Sequence, residues 1–209
     1  AFVATVLGCC ISLPLSLVAA RNLNPAGLAL VTRALFAACR SLPSIVWAIF
    51  FVILIGLGPL AGILAMTVYT VGYLGKLQYE AIEGLDRGPL DASRAMGQSG
   101  LERNIGVVLP EAANGLISQA IFMFEYNVRH GTVIGIVGAG GIGYYINLYL
   151  RFLQYDKVMA YLIIIFVVVL ILDQISILAR LVFTEETNVK RPSWWSVFLP
   201  AAVLSRGDD

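Results

Sequence analysis

The stretch YLIIIFVVVLILDQISIL at residues 161–178 decides the fold class. Asp173 is its only charged residue, and the apolar sequence around it runs from 158 to 183. A helix rises ~1.5 Å per residue, so ~20 residues cross the ~30 Å hydrocarbon layer of a bilayer. We therefore predict a membrane-spanning helix at this place.

The chain as a whole also has the composition of a membrane protein. Hydrophobic residues make up 59% of the 209 residues and charged residues 13%, whereas a soluble domain has about 25% charged residues. Mean hydropathy is +0.84. The sequence predicts an all-α, polytopic membrane helix bundle with about five core transmembrane helices. The other apolar segments are 1–20, a segment that starts near Pro25 and is fully apolar over 43–57, 59–77, and 111–130.

The segments also suggest how the chain is divided. We expect residues 1–183 to form one transmembrane domain and 184–209 to form a cytoplasmic or interfacial tail, with Trp194 and Trp195 as an interfacial anchor. Because the chain starts at Ala1 inside apolar sequence, we expect at least one earlier segment to be missing. The cysteines are odd in number and lie in apolar sequence, which favours neither a disulfide framework nor a metal site.

The distribution of basic residues predicts the orientation. If the spans alternate, 11 of the 14 Lys and Arg fall on the side of the 21–42 connection, the 76–110 loop and the tail. The positive-inside rule places this side in the cytoplasm. The glycine-rich run near residue 140 then lies outside. The absence of a basic patch with interleaved aromatics argues against nucleic-acid binding.

The loop at 80–112, EAIEGLDRGPLDASRAMGQSGLERNIGVVLPEA, predicts two short helices. Pro89 suits the first turn of a helix that runs to Met96, and Gly97 suits its stop. Ser99 and Glu102 form a capping box for a second helix. An apolar ridge then follows on one face of this second helix, made by Leu101, Ile105 and Val108. Such a loop can dock in a groove of another protein.

This loop resembles the E-A-A-x3-G-x9-I-x-L-P motif of the permease subunits of binding-protein-dependent ABC importers. The chain has Asp91-Ala92-Ser93, Gly97 after three residues, and VVLP after nine more. The differences from the motif are mild. The resemblance implies a coupling loop, at about 80–110, that seats in a cleft of a cytoplasmic ATPase. The coupling residues that it implies are Asp91, Ala92, Ser93, Gly97, Leu101, Ile105, Leu109 and Pro110.

Three further stretches resemble the phosphonate and phosphite branch of these permeases: 14–23, 72–86 and 124–143. The resemblance implies a methionine-importer type of fold and import of phosphonates or related phosphorus oxyanions. It implies two ATPase subunits that bind ATP and Mg, a second permease subunit, identical or related, and an extracytoplasmic binding protein. Import of methionine, an osmolyte or phosphate by the same fold remains an alternative.

Polar residues inside two segments are candidates for the translocation path. At 100° per residue, Asn114, Ser118, Glu125 and Arg129 share one helical stripe, with Phe122 at its border. Ionisable groups at membrane depth face protein or water. Arg129 could offer a positive site to an oxyanion, or the Glu125–Arg129 pair could be purely structural. Asp173 needs a partner that the sequence does not identify, and His130, the only histidine, is typical of a satisfied polar residue.

A second stripe lies on the segment before the loop. Tyr69, Tyr73, Lys76 and Glu80 fall on one face at helical spacing. Lys76 and Glu80 are near the cytoplasmic end, where pairing and snorkelling explain them. Tyr69 and Tyr73 remain candidates for the path.

The run GIVGAGGIGYY at 135–145 contains the letters of a dinucleotide fingerprint, G-x-G-x-x-G. A membrane oxidoreductase would need a soluble βαβ unit around it, and membrane segments flank it instead. We interpret Gly138, Gly140, Gly141 and Gly143 as a hinge near an external gate or as simple tight packing. The chain contains no Walker A motif and no G-x-S-x-G or H-E-x-x-H motif. We therefore predict a transport subunit in the cell membrane, without cofactor or metal, and no enzyme.

Overall fold

The computed structural model describes residues 1–183, with side chains to Arg180. This part of the chain contains helices and no strand, so the predicted all-α class is confirmed. The predicted tail at 184–209, with its tryptophan pair, lies outside the described residues. The elements are α1 Phe2–Ala19, α2 Ala26–Ser41, α3 Ser44–Ile55, α4 Pro59–Glu83, α5 Arg87–Ala95, α6 Gly100–Arg103, a π-helical turn Asn104–Val108, α7 Leu109–Ile136, α8 Ile142–Arg151 and α9 Tyr155–Phe183.

Five membrane crossings can be built from these helices. The helices α1, α4 and α9 are each long and apolar enough to span, as is the continuous helix from Gly100 to Ile136. The fifth crossing is broken, because α2 and α3 meet at an angle of 84°. Pro43 explains the bend, since the residue before a proline avoids the helical conformation, and Leu42 is extended with ψ 139°. This agrees with the five segments predicted.

Helix α4 is the centre of the bundle and packs against α1, α2, α3 and α7. Small residues make this possible, since they let helix backbones approach closely inside a membrane. Gly72 is the clearest case: a Cβ there would lie 2.8 Å from the Phe36 carbonyl oxygen and 2.9 Å from the Arg40 nitrogen. Buried small residues occur along the whole of α4, namely Ala61, Gly62, Ala65, Thr67, Thr70, Gly72 and Gly75.

The outer surfaces of the bundle are apolar. Helix α3 exposes a row of large side chains that includes Phe50, Ile53 and Leu54, and α9 exposes Ile163, Phe166 and Ile171. In water such a surface would be unfavourable, but hydrocarbon is as apolar as these side chains. These two faces therefore suit contact with lipid.

The structure corrects several predicted boundaries. The helix expected at 111–130 continues to Ile136, because the chain stays helical until Gly138 takes a φ of +92°. Helix α4 extends past 77 to Glu83. The second loop helix is not separate, since α6, the π-turn and α7 run on as one helix of 37 residues. The π-turn shifts the register, so Val108 is fully buried and does not belong to the predicted ridge.

The close approach at Gly72 generates a prediction. Gly72→Ala should lower the stability of the purified complex by about 1–3 kcal/mol, because the new methyl meets backbone atoms that cannot move aside. Gly115→Ala is the matched control, since a Cβ at Gly115 has nothing within 4 Å and alanine favours helix by up to ~1 kcal/mol. Thermal denaturation measures both. Equal stability of the two variants would contradict the packing described here.

Candidate translocation face and coupling loop

Helix α5 has an inner side that is buried against the bundle. Leu90 and Ser93 are buried, and the Ser93 hydroxyl donates to the Leu90 carbonyl oxygen at 2.8 Å. Leu90 belongs to an apolar cluster at the end of the bundle that carries the loop, and this cluster includes Ile82 of α4 and Val108 of the π-turn. The loop is therefore packed on the ends of the membrane helices and does not hang free.

Polar contacts fix α5 to the connection between α1 and α2. Arg94 donates to the Asn22 carbonyl oxygen at 2.7 Å and pairs with Asp91 at 3.0 Å. The Asn22 amide in turn donates to the Ile82 carbonyl oxygen at 2.9 Å. A displacement of α5 would therefore be transmitted to α1 and to the end of α4.

The turn after α5 forms as the sequence predicts. Gly97 has φ +73°, in the left-handed region that glycine tolerates. Ser99 and Glu102 make the predicted capping box, with the Ser99 amide donating to Glu102 at 2.8 Å. The hydrogen bond from the Ser99 amide to the ionised carboxylate holds the pKa of Glu102 below its usual value.

The outer side of the loop carries exposed apolar side chains. Met96 is 69% exposed, Leu101 71% and Ile105 60%; we call these three the coupling surface. Leu101 and Ile105 were predicted as coupling residues and Met96 was not. Of the remaining predicted residues, Asp91, Ala92 and Pro110 are exposed, Leu109 is half-buried and Ser93 faces inward. The predicted set therefore divides into an inner side that anchors the loop and an outer side that is open to a partner.

Half-buried tyrosines of α4 and α7 stack on one another. The ring centroids of Tyr69 and Tyr73 lie 5.8 and 5.9 Å from that of Tyr126, and Phe122 lies 6.5 Å from Tyr73. The Tyr126 hydroxyl donates to the Tyr69 hydroxyl at 3.0 Å. These four residues, together with His130, are called the aromatic face.

Sequence reasoning placed only part of this face. His130 stacks on Tyr126 at 3.7 Å and its Nδ1 lies 3.1 Å from the Tyr126 carbonyl oxygen. This contact satisfies one nitrogen, as predicted for a lone histidine. The signal that would have found Tyr126 is the i, i+4 spacing of Phe122, Tyr126 and His130.

Asn127 is a buried polar residue that the sequence analysis missed. Its amide donates to the hydroxyls of Thr5 and Thr70, both at 2.9 Å. Asn127 therefore joins α7 to both α1 and α4. A buried amide without these partners would be costly inside a membrane.

The partner of Asp173 is Arg129, with 2.6 Å between the guanidinium and the carboxylate. Arg129 also pairs with Glu125, as predicted, and Glu125 accepts a second contact from Arg180 at 3.4 Å. We call these four residues the charged cluster. It holds two positive and two negative side chains and connects α7 to α9.

The predicted stripe on α7 thus has two neighbouring environments. On one side of α7, Glu125 and Arg129 face α9. On the neighbouring side, Tyr126 stacks with Tyr69 and Tyr73 of α4. Asn114 is exposed and Ser118 is half-buried. Phe122 and Arg129 are seven residues apart, so the aromatic face and the charged cluster adjoin on the surface of α7.

The glycine-rich run forms the turn between α7 and α8, with positive φ at Gly138, Gly140 and Gly141. The Gly58 amide donates to the Gly138 carbonyl oxygen at 3.1 Å. This bond ties the α7–α8 turn to the α3–α4 turn, at the end of the bundle opposite the loop. Gly143 packs against the backbone of α7 at Gly135. Because a membrane helix precedes the run, the strand that a dinucleotide site requires is absent here.

Residues 12–182 match the family described as the inner membrane component of binding-protein-dependent transport systems. The chain belongs to this family. It is therefore a multi-pass protein of the inner membrane, and its relatives are transport permeases and not enzymes.

Curated relatives include the phosphate-import permease protein PhnE of Mycolicibacterium smegmatis, 38% identical over 83% of this chain and 33% of that protein. The phosphite transport system permease protein PtxC of Stutzerimonas stutzeri is 40% identical over 82% of this chain and 63% of its own length. The putative cryptic phosphonate transport system permease protein PhnE2 of Escherichia coli is 42% identical over 54% of this chain and 93% of its own length. The chain thus spans less than two thirds of the first two relatives.

A solved structure of the MetNI methionine ABC transporter in an inward-facing conformation has the same fold. The TM-score is 0.77 at 25% identity, over 88% of this chain and 90% of that chain. The predicted methionine-importer type of architecture is therefore confirmed.

The Asn127 contacts generate a prediction about stability. Asn127→Ala should cost about 1–3 kcal/mol, because two hydrogen bonds between buried groups are lost. Asn114→Ala, at an exposed asparagine of the same helix, should change stability by no more than ~0.5 kcal/mol. Denaturation of the purified complex in detergent measures both changes. A loss of equal size in the two variants would refute the role given to Asn127.

Proposed function

We propose that this chain is the permease subunit that forms the translocation path for ATP-driven import of phosphonates or related phosphorus oxyanions. It works with two ATPase subunits, a second permease subunit and an extracytoplasmic binding protein. ATP and Mg bind to the ATPase, since the sequence contains no Walker A motif. The loop at 80–110 couples the ATPase to the membrane helices.

The observation that carries the proposal is the two-sided construction of this loop. Leu90 and Ser93 hold its inner side in the bundle, while Met96, Leu101 and Ile105 expose apolar surface outside the membrane helices. An anchored helix with an exposed apolar side is the form in which helices dock in grooves of partner proteins.

The aromatic face and the charged cluster support a path on the same side of the bundle. At membrane depth, α3 and α9 expose Phe50 and Phe166 to lipid, whereas α4 and α7 carry half-buried tyrosines and an Arg129 whose side chain is 48% exposed. Polar and charged groups at this depth face water or protein. We infer that this side faces the second permease subunit across the path.

Two observations bear on the substrate class. The relatives that are about 40% identical are phosphate-import and phosphite transport permeases, and the path side carries two arginines. A choline permease of Bacillus subtilis is 25% identical over 85% of this chain. A cluster of aromatic rings suits a quaternary ammonium group, so an osmolyte importer is the second candidate.

The experiment measures uptake and ATPase activity of the complex reconstituted with its ATPase and binding protein. Methylphosphonate or phosphite should stimulate both activities, and choline and methionine should not. Stimulation by choline alone would replace the first candidate with the second.

The same preparation tests the coupling surface. Leu101→Asp should weaken ATPase binding at least ~10-fold and abolish substrate-stimulated ATPase while the permease still folds, since a charge replaces an exposed apolar contact. Leu90→Asp is the contrasting control, because it buries a charge on the inner side and should reduce the yield of folded protein. Normal uptake by the Leu101→Asp complex would rule out the docking role.

A further inference from the structure

The charged cluster has an arrangement that a merely structural ion pair does not need. The carboxylate of Glu125 lies between two guanidinium groups. Its Oε1 accepts from Arg129 and its Oε2 accepts from Arg180 at 3.4 Å. The carboxylate thus has one oxygen on each arginine, which is how two arginines hold an oxyanion.

The cluster extends from the middle of α7 to Arg180 in the last turn of α9. Glu125 is 16 residues from the start of α7 and 11 from its end, or ~24 and ~16 Å along the helix. Its side chain is only 15% exposed, while those of Arg129 and Arg180 are 48% and 36% exposed. Asp173 is 33% exposed, so Glu125 is the least exposed member of the cluster and both arginines are open to an approaching ligand.

The donors of the two arginines are only partly used. Nε of Arg180 is buried and has no acceptor among the described residues. The contacts of Arg129 within the same part of the chain all use one terminal nitrogen. A carboxylate offers two oxygens, whereas a phosphonate or phosphate offers three or four in a tetrahedron. A phosphorus oxyanion could therefore satisfy donors that Glu125 leaves free.

We propose that Arg129 and Arg180 form an oxyanion site in the translocation path, that Glu125 occupies this site in the absence of substrate, and that a phosphorus oxyanion displaces it. Asp173 keeps Arg129 in place from the other side at 2.6 Å. With Glu125 in place the cluster is neutral, so the empty path does not hold small anions of the cell tightly. The site deepens the proposed function and rests on it.

The charge balance gives the test its direction. Glu125→Gln removes the resident anion and leaves one uncompensated positive charge between the arginines. Asp173→Asn is the matched control, because it removes the same charge from the same cluster but leaves Glu125 between the arginines. The probe is inorganic phosphate added to the purified complex at constant ionic strength. The readout is the melting temperature.

Phosphate should raise the melting temperature of the Glu125→Gln complex by at least ~2 °C more than that of wild type or Asp173→Asn. All three complexes share every other phosphate site, including those of the ATPase, so only the difference counts. Equal phosphate effects in the three complexes would overturn the proposal. If Glu125→Gln does not fold, the same comparison of phosphate-induced melting temperatures is made with Glu125→Asp. The aspartate keeps the charge, but its side chain is one methylene shorter and cannot contact both arginines.

A repeat in phospholipid nanodiscs separates a free oxyanion from a lipid headgroup. The phosphate effect on Glu125→Gln should persist there, and its loss would assign the arginines to a lipid phosphate and overturn the proposal. These measurements do not use transport. If the complex imports another substrate class, phosphorus oxyanions will not stimulate uptake. Phosphate binding to Glu125→Gln can still be measured in that case, so the two proposals are tested separately.

Discussion

The interior of a bilayer contains no water, so every polar group at that depth must find a partner in the protein. The structure of this chain depends on that constraint. Asn127 meets it with Thr5 and Thr70 and so binds α7 to α1 and α4. The charged cluster meets it by pairing two acids with two bases across α7 and α9. Where polar groups are only half-buried, as on the aromatic face, water or a second subunit must provide the remaining contacts.

A single helix connects the two ends of the proposed mechanism. The helical run from Gly100 to Ile136 has 37 residues, or ~55 Å at 1.5 Å per residue. It carries Leu101 at the cytoplasmic end, Glu125 in the membrane and the glycine turn at the far end. A tilt imposed on the loop by an ATPase would therefore move the charged cluster and the turn together. The π-turn at Asn104–Val108 lies at the junction, where such turns often accompany function.

The sequence predicted those features that depend on local chemistry. The apolar lengths identified the spans, and the Ser99–Glu102 box and Gly97 defined the loop. The break at Pro43 was not predicted. The sequence could not predict Asn127 or Arg180, because their partners lie on other helices and a lone polar residue has no period. It grouped Glu125 with Tyr69 and Tyr73, but it could not show that packing pairs Glu125 with Arg180 of α9. The site residues remain predictions.

The central claim is that the side formed by α4 and α7 lines a path that opens alternately to the two sides of the membrane. Labelling of single cysteines with a membrane-impermeant thiol reagent, after replacement of Cys9, Cys10 and Cys39, tests it most directly. Cysteine at Tyr73 or Ser118 should be labelled, with a rate that changes when ATP is added to the complex. Cysteine at Phe166, on the lipid side of α9, should stay unlabelled. Labelling of the Phe166 position alone, or labelling at Tyr73 that ignores ATP, would contradict the account.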